Sequence, residues 1–187
     1  MYYHASPTKA LQILIPHTSN HGIPLLYLSA KRENTLPYLS NAVELYGKRS
    51  GRFPTGPYHK WASYGFTAQG ILRLEEYYPH AVEETYKGIP GYIYTVESDK
   101  NIKKQQDIPD AFTSEYPMIP VFCEYIPDAY EAILAAAREG KITIQRYEEI
   151  SDSKRQWIEV SVRQQLKETN RAEYQAFLKA KFSFLQE

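Results

Sequence analysis

Residues 117–145 read PMIPVFCEYIPDAYEAILAAAREGKITIQ, and the order of elements in this stretch decides the fold class. Pro117 to Tyr125 is rich in β-branched and aromatic residues and reads as a strand. Asp128, with Glu131 three residues on, has the spacing of a capping box. Tyr130, Ile133, Leu134 and Ala137 then recur at helical spacing as far as Arg138, and Gly140 supplies the stop. Ile142 and Ile144 alternate with polar residues in a further strand. Strand, helix and strand in succession predict an α+β domain, with a right-handed crossover if the two strands are parallel.

Working outward, Asp152 to Leu166 predicts a helix with Trp157, Ile158, Val162 and Leu166 inward. A second helix is capped by Asn170 and Glu173 and turns Tyr174, Phe177, Leu178 and Phe182 inward. Their apolar stripes should dock on the core or on another copy of the chain, so a homodimer is one expected assembly. Toward the N-terminus, Tyr92 to Val96 and Leu25 to Ser29 read as strands, Trp61 to Phe66 as a weaker one, and His80 to Tyr86 as a short helix before Gly88. The first strand is Tyr2 to Ala5. Ser6 and Pro7 then open a two-turn helix carrying Ala10, Leu11 and Leu14, and Pro16 ends it. A helix from Asn34 to Tyr46, closed by Gly47, is predicted with Pro37 in its first turn. Residues 48–58 form a Gly- and Pro-rich loop, a candidate flap. The expectation is one domain with a central mixed, split β-sheet and flanking helices over residues 1–150, and a C-terminal helical extension over 151–187 packed on it.

Composition narrows function by exclusion. Lys plus Arg number 22 and Asp plus Glu 22, so no net charge advertises nucleic acid or an anionic membrane. The longest apolar runs are too short to span a bilayer, and the N-terminus has no signal-peptide pattern. The expected compartment is the cytoplasm. Cys123 is the single cysteine; it rules out an internal disulfide and, inside an apolar strand, reads as a core thiol. Tyrosine is over-used, with 17 against 7 Phe. A flat ring with one polar tip suits half-buried sheets and clefts for planar ligands. His17 and His21 have metal-ligand spacing only on a helix, and the residues around them make a loop, so no metal is expected. No Walker, dinucleotide-fingerprint or nucleophile-elbow motif occurs. The pairs Glu75-Glu76, Glu83-Glu84 and Glu148-Glu149 read as solvated faces. Arg52, His59 and Trp61 are read either as a phosphate and base contact or as loop residues.

One ordered constellation remains: Tyr3-His4-Ala5-Ser6 in the first strand, Leu26-Tyr27-Leu28-Ser29-Ala30 in a second strand before a helix, and Thr113-Ser114-Glu115 before a late strand. This order resembles the ADP-ribosyltransferase-like superfamily, with Ala5 where the family has Gly. The resemblance implies a split sheet and NAD as substrate. It implies His4 on the NAD ribose, Tyr27 and Tyr38 facing nicotinamide, Ser29 in the same strand of the cofactor site, and Glu115 as the catalytic carboxylate. Glu124 and Glu97 are rivals for that last role. Breaking the nicotinamide–ribose bond develops positive charge on the sugar, which a nearby carboxylate stabilises. Two functional readings follow. One is an NAD-dependent ADP-ribosyl transfer to an unidentified acceptor; the other is a non-enzymatic domain that binds a nucleotide or a protein.

Overall fold

A computed structural model of the chain describes residues 1–18, 22–52 and 61–186, with the main chain alone at Ala62. His21, His59 and most of the expected flap lie outside the described residues. The fold is α+β. Strands β1 (Tyr2–Ser6), β2 (His17–Thr18) and β3 (Pro24–Ser29) lead to a 3-10 helix, Glu33–Leu39, and to helix α1 (Ala42–Ser50). Strands β4 (Ala62–Phe66) and β5 (Leu72–Glu76), helix α2 (Ala81–Tyr86), and strands β6 (Gly91–Val96), β7 (Lys103–Lys104), β8 (Ala111–Ser114) and β9 (Phe122–Ile126) follow. Helix α3 (Ala129–Arg138), β10 (Ile142–Gln145), α4 (Asp152–Glu168) and α5 (Ala172–Lys181) complete the order.

The larger sheet has seven strands in the order β7-β8-β3-β1-β6-β9, with β2 pairing β3 at the side; β10-β5-β4 make a second sheet. Where a mixed sheet was expected, every pairing in the larger one is antiparallel. The reason lies in the opening stretch: β9 and β10, the strands on either side of α3, belong to different sheets, so no parallel crossover closes.

The chain divides into two compact units. The first comprises Met1–Leu39, Phe66–Leu72 and Tyr86–Thr143, and the second Ser40–Gly65, Arg73–Thr85 and Ile144–Glu187. The first unit has an apolar cluster of Leu14, Leu26, Leu28, Tyr94 and Val96 on one side of the larger sheet. The C-terminal helices belong to the second unit. There Ile158 and Val162 of α4 and Tyr174, Phe177 and Leu178 of α5 pack with Val43, Trp61, Tyr78 and Ala81.

Several local expectations are revised by particular contacts. Residues 7–16 are not helical. Ser6 Oγ accepts the Thr8 amide, Ala10 has φ 56°, and the buried Tyr94 hydroxyl donates to Thr8 O at 2.7 Å while accepting the Leu11 amide. Leu14 instead bridges Met118, its amide donating to Met118 O at 2.8 Å. The helix expected over 34–46 is two elements: the 3-10 helix runs through Pro37 to Leu39, and Asn41, with extended backbone at φ −139° and ψ 134°, separates it from α1. The α-helix restarts after Asn41, whose side chain accepts the Val43 and Glu44 amides, and ends at Gly51 with φ 66° rather than at Gly47. Trp157 is 48% exposed, since Ile158 and Val162 take the inward stripe of α4. Cys123 is exposed, because β9 is the last strand of its sheet. Among the described residues, no helix is long and apolar enough to cross a membrane.

Candidate functional site

The site residues gather where β8, β3 and β1 adjoin. Directly opposed residues of antiparallel strands share a face, and successive residues alternate. Tyr3 lies opposite Ser29, Ser29 opposite Ala111 and Tyr27 opposite Thr113, so Tyr3, Tyr27 and Ser29 share one face. His4 lies opposite Tyr94 and starts from the other face. β1 and β3 register at the single pair Tyr3–Ser29, whereas β1 and β6 register over five, so the β1–β3 seam is loosely laced. The His4 ring reaches across this seam, where its Nδ1 lies 2.9 Å from the main-chain oxygen of Tyr27. A carbonyl only accepts, so Nδ1 carries the hydrogen, and neutral His4 presents Nε2 as an acceptor. Burial holds the His4 pKa below its ordinary value of 6.5 against the raising effect of that hydrogen bond, so the ring is neutral at physiological pH.

On the β3–β8 side, Ser29 is buried; its hydroxyl donates to Asp110 O at 3.1 Å and accepts the Lys31 amide at 3.1 Å. Asp110 O also accepts the Ala30 amide, and the Asp110 carboxylate pairs with Lys31 Nζ at 2.8 Å. Asp110 itself has φ 55°, a left-handed backbone that Asp tolerates at some cost and that concentrates at functional sites. Sequence reading passed over Asp110. Its signal is weak, a carboxylate in a polar connection directly before a strand.

The other expected residues are dispersed. Glu115 follows the last residue of β8 and is exposed, its carboxylate 3.0 Å from the exposed Lys103 Nζ. Lys103 lies opposite Thr113, so this pair lies on the face of Tyr27 and Ser29, opposite to that from which His4 starts. Glu124 sits on β9 opposite Ile93 and is fixed by Arg32 through two hydrogen bonds of 2.7 and 2.6 Å. Its charge is thereby committed, and the pairing raises the Arg32 pKa. Glu97 is exposed just beyond β6 and, with Asp99, Ser114 and Met118, lines an open cavity of about 430 Å³, the scale of a small-molecule site. Tyr27 is half-buried, and Tyr38, in the 3-10 helix, is 46% exposed. In the same helix Asn34 is 6% exposed, and among the described residues neither polar atom of its side chain has a hydrogen-bond partner.

A second group of carboxylates lies in the other unit. Glu75 and Glu76 are buried, not solvated. Glu76 accepts the Val82 amide and Arg146 on Oε1 and the Tyr147 amide on Oε2, an arrangement that ties β5 to the start of α2. Glu75 accepts Arg73 on Oε1 and the Tyr77 hydroxyl on Oε2, where Lys154 lies at 3.3 Å. Burial pushes the Glu75 pKa up, but the Arg73 hydrogen bond and the Lys154 charge outweigh it and leave it lowered. These acceptors are engaged within the fold, as structural carboxylates are. Among the described residues no group of three His, Cys, Asp or Glu is placed to hold a metal ion.

Comparison of the chain with protein-family models, curated proteins and solved structures gave no match.

Proposed function

We propose that the chain binds NAD or a closely related nucleotide at the β1–β3 seam and transfers its ADP-ribosyl group to an acceptor. The observation that carries this reading is the neutral His4 ring lodged in the loosely paired seam, with the Ser29–Asp110 junction on the neighbouring strand. A neutral imidazole with Nε2 as acceptor suits a ribose hydroxyl, which must donate. The half-buried Tyr27 and half-exposed Tyr38 offer flat surfaces for nicotinamide.

In this reading Asp110 takes the role expected of Glu115. It adjoins Ser29, and Ser29 lies opposite the residue that precedes His4; both carboxylates pair with a lysine, Asp110 with Lys31 at 2.8 Å and Glu115 with Lys103 at 3.0 Å, but the Asp110 side chain is the less exposed, 31% against 51%. The bond between nicotinamide and the ribose carbon breaks, and nicotinamide leaves with the electron pair. The Asp110 carboxylate stabilises the positive charge left on the sugar. The acceptor's nucleophilic atom then bonds to that carbon and gives up its proton to solvent or to the carboxylate. His4 and the tyrosines orient the ribose and the leaving group.

The test is nicotinamide release together with calorimetric NAD titration, for wild type, Asp110→Asn, Glu115→Gln and His4→Ala. Asp110→Asn should bind NAD but release nicotinamide on the order of 100- to 1000-fold more slowly, as expected for loss of one preorganised electrostatic contact. Glu115→Gln should match wild type, and His4→Ala should bind more weakly. Binding by wild type without any release supports the non-enzymatic nucleotide-binding reading instead; no binding at all removes NAD from the account.

A further inference from the structure

The two outer edges of the seven-stranded sheet are built differently. One edge is β7, whose two residues are the exposed lysines Lys103 and Lys104. Lysine on an edge strand is a usual device against pairing with another chain. Among the described residues the opposite edge, β9, pairs with β6 on one side only. Its approach and its strand expose Ile119 at 72%, Val121 at 54%, Phe122 at 62% and Tyr125 at 55%, along with Cys123. The register puts Phe122 on one face and Cys123 and Tyr125 on the other, so the edge is apolar on both faces. Its one charged side chain, Glu124, is held by Arg32 of the same chain and does not guard the edge.

We propose that β9 is an assembly edge at which a second copy of this chain adds its own β9 antiparallel, continuing the sheet across a two-fold axis. Charge favours a copy of itself as occupant: the edge offers no unpaired charge to a partner of opposite sign, and its carboxylate is already neutralised. Of the two central registers, one centred on Glu124 sets two carboxylates face to face, which is destabilising. The register centred on Cys123 sets Glu124 opposite Phe122 and Val121 opposite Tyr125, apolar against apolar at the ends. It is therefore the one assigned. It also brings the two Cys123 residues directly opposite each other, with Cα atoms about 4.5–5.5 Å apart, within disulfide reach. The contact is isologous and closes at two chains.

The experiment measures mass in solution by sedimentation over a range of concentrations, and cross-linking by diamide, which takes up the two electrons and two protons of two thiols. Wild type should have twice the chain mass and form a Cys123–Cys123 cross-link. Cys123→Ser should stay dimeric without cross-linking. Phe122→Lys and Tyr125→Lys, both at exposed positions, should be folded by circular dichroism and monomeric. A wild type that is monomeric throughout, even one that captures an extended peptide, overturns the proposal. So does a dimer that both lysine variants leave intact, or one dependent on Phe122 whose Cys123 residues do not cross-link. None of these outcomes depends on NAD turnover.

Discussion

His4 is the residue whose chemistry depends most on its surroundings. Burial lowers its pKa below 6.5, so between that lowered value and 6.5 the unfolded chain takes up a proton that the folded chain refuses. The contribution of neutral His4 to stability is thus present in full above pH 6.5 and is lost as pH falls through that window. Urea unfolding at pH 8 and pH 5 should show a larger loss of stability for wild type than for His4→Gln; an equal loss would mean that His4 is not held neutral by the fold. Tyr174 makes a different kind of test. Its hydroxyl accepts the Trp61 indole N–H at 2.9 Å where both rings are buried. Tyr174→Phe should cost about 1–3 kcal/mol, the cost of stranding a buried donor, read as a lower urea midpoint at unchanged slope. An unchanged midpoint would contradict that account of the second unit's core.

At the scale of elements, what could be read from the sequence was local and what could not was tertiary. The α3 helix matches its pattern because Asp128 caps it through the Tyr130 and Glu131 amides and its apolar stripe is regular. The strands Tyr2–Ser6, Pro24–Ser29 and Gly91–Val96 match because their side chains suit a pleated surface. The helix expected after Ser6 failed because a distant tyrosine, Tyr94, claims the main chain of Thr8 and Leu11, and no local pattern carries that information. Glu75 and Glu76 misled for the same reason, since their partners Lys154 and Arg146 lie some 70–80 residues away in the chain. Within the candidate site, His4 and Ser29 were legible as members of strands, while Asp110 became visible only once β8 was laid beside β3. Gly91 is a further case. A Cβ there would lie 2.4 Å from Leu39 Cδ2 and 3.2 Å from Cγ, and Leu39 is itself buried. Gly91→Ala should therefore destabilise by about 1–3 kcal/mol, the usual cost of overpacking, and Leu39→Ala should relieve much of it in a double-mutant cycle. Additive effects of the two substitutions would show that β6 and the 3-10 helix do not press on each other at this point.

For the molecule as a whole, the balance of 22 basic and 22 acidic residues leaves function to be set by local chemistry rather than by a global field. Each unit has its own apolar core, and all the candidate site residues fall in the first. There the sheet supplies three things from adjacent strands: a neutral imidazole on β1, a hydroxyl on β3 and a carboxylate directly before β8. The most direct test of the account is nicotinamide release by wild type and by Asp110→Asn, at NAD concentrations that saturate both. Asn keeps the shape and tolerates the left-handed backbone at this position, so the substitution removes the charge and, with it, the ion pair to Lys31. The account predicts release by wild type and a fall on the order of 100- to 1000-fold in the variant with NAD binding retained. Release by Asp110→Asn at the wild-type rate would contradict it.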